Sequence, residues 1–384
     1  MAQTPRVPVN GRMLAWARDR MGLDVGEAAA SLKMPVERLA SWEGSDAKPT
    51  LAQLRKVAAL YRQTVAFFLR EDPPPIDQAT RPPDFRARRP QGRKQSIPLR
   101  LMAEIDKAAE RREVFVRLTD VDAAALPESD LRDTGAAAGQ MRQLLGVSIA
   151  SQQEWQKDGA FRRWTAHLER LGILVFHMSR IDPEECQGFS LYYDRAPVIV
   201  LNGADTSSVR TFTLFHEVGH LLLRSGGVCH THSNSAVEIQ CNTFAADFLT
   251  PREDFLEQLD RRFDPVEQIS ELANRYRVSW SAIAVRLRSV GAIDQATLDE
   301  QLALAAEKAR TAREEARRRS RERKQGPPHH VTQLRNLGPR YVYTVLDAVH
   351  DDRISAVDAS YFLDSKWSTI RQMEDDLQKR AVEL

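Results

Sequence analysis

With 384 residues, 42% of them hydrophobic and 28% charged, the chain has the balance of a globular protein rather than a disordered or fibrous one, and it is long enough for two or three domains. A formal net charge of +2 excludes a polycation that coats nucleic acid along its whole length, so any affinity for DNA must be local. There is no run of about 18 apolar residues and no apolar signal-peptide core, and Cys186, Cys229 and Cys241 form no CxxC pair. The expectation is a soluble cytoplasmic protein, away from membranes, whose cysteines are buried thiols.

Residues 11–70 carry apolar positions at helical spacing (Leu14, Ala17, Met21; Ala28, Ala29, Leu32; Leu39, Trp42; Leu51, Leu54, Val57, Leu60), which predicts four or five short helices. Asp24 and Thr50 are suited to cap two of them, and Met34-Pro35 to open another with proline in its first turn. From Asp72-Pro73-Pro74-Pro75 to about Pro98 the chain is rich in proline and arginine and reads as an extended linker.

Helical periodicity returns over 99–120 and 150–171, where Trp155, Phe161, Trp164 and Leu168 form one apolar stripe suited to a core. Ile173–Met178, Phe189–Tyr193 and Val198–Leu201 read as strands of a small sheet. Thr206 can cap a helix running through Leu223, and another spans Ala236–Leu249, ending at Pro251. Two more helices are expected over 264–290 and a long one over 295–325. From Arg310 to Lys324 the latter has eight basic and three acidic residues, a solvated face first and a nucleic-acid contact second. A helical cap closes the chain, with Leu337, Val342, Val345, Leu346, Phe362 and Leu363 as its core. The fold class is mainly α with a small β-sheet (α+β).

The chemistry concentrates in His216-Glu217-Val218-Gly219-His220. Histidines at i and i+4 project from one helix face a turn apart, so two imidazoles can bind one zinc ion. Glu217 is placed to take a proton from a water attacking a carbonyl. A catalytic zinc needs a third protein ligand. Glu238, 18 residues after His220 at the start of the next helix, is the favoured one. His230, His232 and Asp247 compete with it, and Cys229 and Cys241 more weakly; either loop histidine could instead stabilise the oxyanion of the tetrahedral intermediate.

Phe215-His216-Glu217-Val218-Gly219-His220-Leu221-Leu222-Leu223, followed by the stretch Glu238 to Pro251, closely resembles the ImmA/IrrE family of zinc metallopeptidases. The resemblance implies His216, His220 and Glu238 as zinc ligands and Glu217 as general base, with Asn242, Phe244, Ala245 and Ala246 packing one helix on the other. It extends to Val198-Ile199-Val200-Leu201-Asn202, which looks like the edge strand ahead of the site helix, able to pair with an extended peptide. Thr250 stands where the family commonly has methionine.

The N-terminal segment, through Met13–Arg18, Val25–Ala29, Leu39–Gly44 and Pro49-Thr50-Leu51, resembles the Xre/Cro class of helix-turn-helix domains. A recognition helix over about Pro35–Glu43 would present Lys33, Val36, Glu37 and Arg38 to DNA. Over residues 11–70 basic residues exceed acidic ones by four, which permits DNA binding but equally a module that dimerises or docks a partner. The expected division is a helix-turn-helix domain at 1–72, linker at 73–98, zincin-like metallopeptidase domain at 99–292, charged helix at 293–328 and cap at 329–384.

The function so implied is cleavage of a specific protein, such as a DNA-binding repressor, in stress response, mobile-element control or a toxin-antitoxin or defence pair. The alternative is a DNA-binding transcriptional regulator, as a monomer or homodimer, whose peptidase-like domain is a sensor or scaffold.

Overall fold

The computed structural model describes residues 6–21, 23–61, 63, 65–69, 99–120, 122, 124, 126–224, 227–229, 236–322 and 328–382. The expected linker, His230 and His232 lie outside the described residues. Among those described, the chain is mainly helical with one four-stranded sheet, and it divides into two compact units.

The first unit contains α1 (Gly11–Arg20), α2 (Val25–Leu32), α3 (Val36–Glu43), α4 (Leu51–Tyr61), a 3-10 turn at Val65–Leu69 and the first turns of α5 (Leu99–Leu118). Asp24 caps α2 reciprocally: its carboxylate accepts from Glu27 N (2.7 Å) while Glu27 accepts from Asp24 N (3.0 Å), satisfying two donors that a helix start leaves open. Thr50 and Gln53 do the same for α4. Lys33 ends α2 in the left-handed region, φ 54°, and turns the chain into α3. Pro35 stands at the N-cap of α3 and not inside its first turn. Met13, Leu14, Ala28, Leu39, Trp42, Leu54 and Phe68 form the core. Arg18 ties α1 to Glu43 of α3 through two hydrogen bonds of 2.8 and 3.0 Å.

The second unit begins at Ala108. It contains α6 (Thr134–Leu145), α7 (Ile149–Glu154), α8 (Lys157–Arg170), β1 (Leu174–Met178), β2 (Gly188–Leu191), β3 (Val198–Asn202), α9 (Ser207–Leu222), β4 (Gly227–Cys229) and α10 (Ala236–Leu249). After these come α11 (Arg252–Gln258), α12 (Ile269–Tyr276), α13 (Trp280–Ser289), α14 (Gln295–Glu322), α15 (His329–Leu337), α16 (Pro339–His350), α17 (Ala356–Phe362) and α18 (Trp367–Val382). Helices α6 and α11 and strand β4 are additions to the sequence reading. Trp155, in extended conformation, splits the expected helix over 150–171 into α7 and α8.

The sheet order is β1-β3-β2-β4, with β1 parallel to β3 and the other pairs antiparallel. This corrects the sequence reading of Val198–Asn202 as an edge: β3 is paired on both sides, and its five residues are buried, as the continuous apolar run Val-Ile-Val-Leu befits an interior strand. The edges are β1 and β4. The α15–α16 corner lies against β1: His177 Nδ1 donates to Arg335 O (2.9 Å). Gly338, at φ +75°, comes so close that a Cβ there would stand 2.6 Å from Val175 O, which restricts the position to glycine. Glu169, buried at the end of α8, accepts the backbone N–H of Arg340 and so caps α16 from outside. In α14, Leu298 and Gln301 are buried and Lys308 Nζ lies 4.3 Å from the ring centre of Trp280. Among the side chains described beyond Leu304, most are exposed, Arg310, Glu315 and Arg318 among them.

Candidate metal centre

Helix α9 is buried all round from Thr213 to Leu222, the property of a central core helix. Thr206 caps its start by accepting from Val209 N. An aromatic cluster fixes it against α8 and α10: Phe215 stacks on Phe248 with ring centres 3.9 Å apart, and Trp164 meets both rings at 5.0 and 5.2 Å. The last carbonyls of α10, open by helix geometry, are closed by buried side chains. Arg142 Nε donates to Phe248 O (2.8 Å) and Gln152 Nε2 to Leu249 O (3.1 Å), while Arg286 donates to Thr250 O. Burial pulls the Arg142 guanidinium down to about 10. Gly219 lets the helices meet, since a Cβ there would lie 3.2 Å from the Cα, Cβ and Sγ of Cys241.

On this frame three ligand groups converge. His216 Nε2 and His220 Nε2 are 3.2 Å apart; Glu238 places Oε2 3.1 Å from the first and Oε1 3.4 Å from the second. Among the described residues these three alone form a group fit to hold a metal. A tetrahedral ion bound at about 2.0–2.1 Å by nitrogen and oxygen requires donor separations of roughly 3.3 Å; the two imidazole nitrogens meet that value, and each Glu238 oxygen stands at about it from one of them. Asn242 Oδ1, which can only accept, takes the proton of His216 Nδ1 at 2.9 Å and leaves the Nε2 lone pair facing the cluster.

The three side chains also pair with one another. Burial opposes a charge on His220, but hydrogen bonds to Cys241 and Glu238 and the field of Glu217 outweigh it and raise its pKa. Burial opposes ionisation of Glu238, yet the two imidazoles hold its pKa below the usual carboxylate range. A cation must therefore displace a proton on entering.

Glu217 is the second mark of the site. It is fully buried, and neither carboxylate oxygen has a hydrogen-bond partner among the described residues. A buried carboxylate without partners is costly, and its field reaches His220, as a proton acceptor beside a bound cation requires. Gly188 of β2 leaves it room: a Cβ there would lie 3.2 Å from Glu217 Oε1 and 2.8 Å from Thr213 Cγ2.

The other candidates fall elsewhere. Asp247 pairs with Arg286 Nη1 (2.8 Å) and accepts from Thr134 Oγ1 (2.6 Å), a structural role. Cys241 is a buried free thiol outside the ligand triangle, and Cys186 is also free and buried. The side chain of Cys229 lies outside the description, as do His230 and His232. Lys33, Val36, Glu37 and Arg38 are all exposed at the α2–α3 turn and start of α3. Sequence reasoning gave Asn242 only a packing role, although its place one turn after Glu238 on the same face signals a polar duty. Gly188 carried no signal of function, because its role arises from packing.

No helix among the described residues is long and apolar enough to cross a membrane. No curated protein matches the chain. Residues 168–288, which span β1 to α13 and hold all three ligand candidates and Glu217, match the IrrE N-terminal-like domain, family Peptidase_M78, so this part of the chain is similar to a metallopeptidase domain.

Proposed function

We propose that the protein is a cytoplasmic zinc-dependent endopeptidase that cleaves a specific partner protein, a DNA-binding repressor being the expected substrate. The observation that carries this reading is the convergence of His216, His220 and Glu238 beside a buried, unpartnered Glu217. A scaffold without turnover has no use for that carboxylate. Two imidazoles and one carboxylate suit zinc and leave a coordination position for water or substrate.

Bound zinc supplies Lewis acidity to a water and to a peptide carbonyl. His216 and His220 would hold the ion through Nε2, with the ring of the former oriented by Asn242. Glu217 accepts the proton of the attacking water and returns it to the leaving nitrogen. The peptide approaches along the edge of β4, a strand with no outer neighbour among the described residues, by main-chain hydrogen bonds. Glu217→Gln keeps the shape and zinc but removes the base. New N-termini generated from a proteome-derived peptide library are expected to fall a hundredfold or more with it; equal yields from Glu217→Gln would end the reading.

A second role belongs to the first unit, whose α2–turn–α3 segment exposes Lys33, Val36, Glu37 and Arg38. Here the helix-turn-helix binds DNA and brings the peptidase to a DNA-bound substrate. Binding of the full chain to duplex DNA should weaken steeply with salt and be lost on joint replacement of Lys33 and Arg38 by alanine. Affinity unchanged by either would leave the unit as a protein-docking module.

A further inference from the structure

Helix α9 turns its ligands and its base to different neighbours. His216 reaches α10, where Asn242 Oδ1 takes its Nδ1 proton at 2.9 Å and Gly219 lets Cys241 approach. Thr213 and Glu217, one turn apart on the helix, meet β2 instead, and both meet it at Gly188. A Cβ at Gly188 would stand 2.8 Å from Thr213 Cγ2, 3.1 Å from Val200 O and 3.2 Å from Glu217 Oε1. The first of these is well inside the roughly 3.5–4.0 Å at which non-bonded carbon atoms settle.

Backbone conformation does not call for glycine here. The φ of Gly188 is not positive, and glycine inside a strand weakens it unless a close approach requires it. Strand β2 is paired on both sides at this residue, to Leu201 of β3 and to Cys229 of β4, so backing away from α9 would bend the ladder. What the missing side chain leaves open is a gap bounded by the Glu217 carboxylate.

We propose that Gly188 is a positioning residue for Glu217: by carrying no side chain it sets how far the carboxylate lies back toward the sheet, and so its place beside the metal triangle. This rests on the peptidase reading of the site. Glu217 is fully buried, and its oxygens have no hydrogen-bond partner among the described residues, so packing walls and not a donor fix the carboxylate. Thr213 closes the other side of the gap, and its methyl is held in place because Oγ1 donates to Val209 O (3.1 Å). The ligand side of α9 is held by α10 and the base by β2, so a change at Gly188 moves the base and spares the metal donors.

The test compares zinc-loaded wild type, Gly188→Ala, the double variant Gly188→Ala/Thr213→Ser and Glu217→Gln. Zinc affinity is read by chelator competition, the carboxylate position by crystal structures, and kcat and KM on one peptide that the wild type cleaves in the proteome-derived library. Gly188→Ala is expected to displace the carboxylate, to bind zinc as the wild type does and to lose about 10- to 100-fold in kcat at unchanged KM, since a misplacement of about 1 Å can cost 100-fold. Thr213→Ser removes the methyl that the new Cβ meets and keeps the hydrogen bond to Val209, so the double variant is expected to return the carboxylate and most of kcat. A role in packing alone predicts that Gly188→Ala melts earlier while its folded fraction keeps the carboxylate in place and the wild-type kcat. That result overturns the proposal, and so does a zinc affinity that falls in step with kcat. Should Gly188→Ala not fold, the double variant carries the test: a carboxylate that shifts without a change in kcat, or the reverse, overturns it. A wild type that binds zinc but cleaves no library peptide, or a Glu217→Gln as active as the wild type, ends the peptidase reading itself.

Discussion

Helix pairs α2–α3 and α9–α10 dispose their polar groups to opposite ends. The first keeps its polar groups outside: a reciprocal cap at Asp24 and Glu27 and an exposed row from Lys33 to Arg38. The second takes His216, Glu217, His220 and Glu238 inside, where each polar group needs a partner or a ligand. A surface that reads a partner can remain solvated and be rebuilt cheaply; a centre that carries out hydrolysis needs dry, fixed donors, and the surrounding packing bears that cost.

The largest effect separating the two pairs is metal uptake. His216→Ala is expected to reduce bound zinc from about one equivalent to none, while alanine at Lys33 and Arg38 leaves it unchanged; metal analysis of purified proteins decides. Next is the packing behind the centre. Phe248→Ala removes the ring stacked on Phe215 and should cost about 3–5 kcal/mol, read by denaturant unfolding of the second unit with tryptophan fluorescence. A loss below about 1 kcal/mol would mean that the aromatic cluster does not brace the site helix.

Acidity gives a third distinction, because Glu169 and His177, whose pKa values burial moves to about 8 and about 3, both lie in the second unit. Burial lifts Glu169 from 4.5 to about 8, against the pull of Arg340. The folded state thus holds a proton that the unfolded state releases, and stability should fall as pH rises across that window. His177 is depressed from 6.5 to about 3 by burial and by Arg210 and Arg335. Its contribution is present above 6.5 and is lost as pH falls toward 3. Melting temperatures should therefore peak between the two flanks, with Glu169→Gln flattening the alkaline side and His177→Gln the acid side. The smallest effect belongs to the first unit: Asp24→Ala should cost about 1 kcal/mol, with metal content unaltered.

The histidine pair was legible in the sequence because i and i+4 is a local relation, readable before any fold is known. Glu238 followed from its place at the head of the next helix. Asn242 and Gly188 acquire their duties only when α9, α10 and β2 meet, and no periodicity records that meeting. Helix α6 is rich in alanine, with Gly135 and Gly139 inside it, so its apolar stripe is faint. Strand β4 has three residues, too few for an alternation. The placement of β3 failed for a different reason: a run of Val, Ile and Leu says a strand is buried, but its neighbours are fixed by topology. At Trp155 the apolar stripe continues through a break in the backbone, so side-chain periodicity concealed the change of helix.

The α15–α16 corner over β1 has a consequence for handling the protein. An uncovered β1 would offer a row of free N–H and C=O groups, the template on which separate chains add strand to strand. Cutting the chain ahead of His329 would strip that shield from the sequence Leu-Val-Phe-His-Met, so a shortened protein should self-associate through β1 and come out of solution, even with every residue of the candidate metal centre still present.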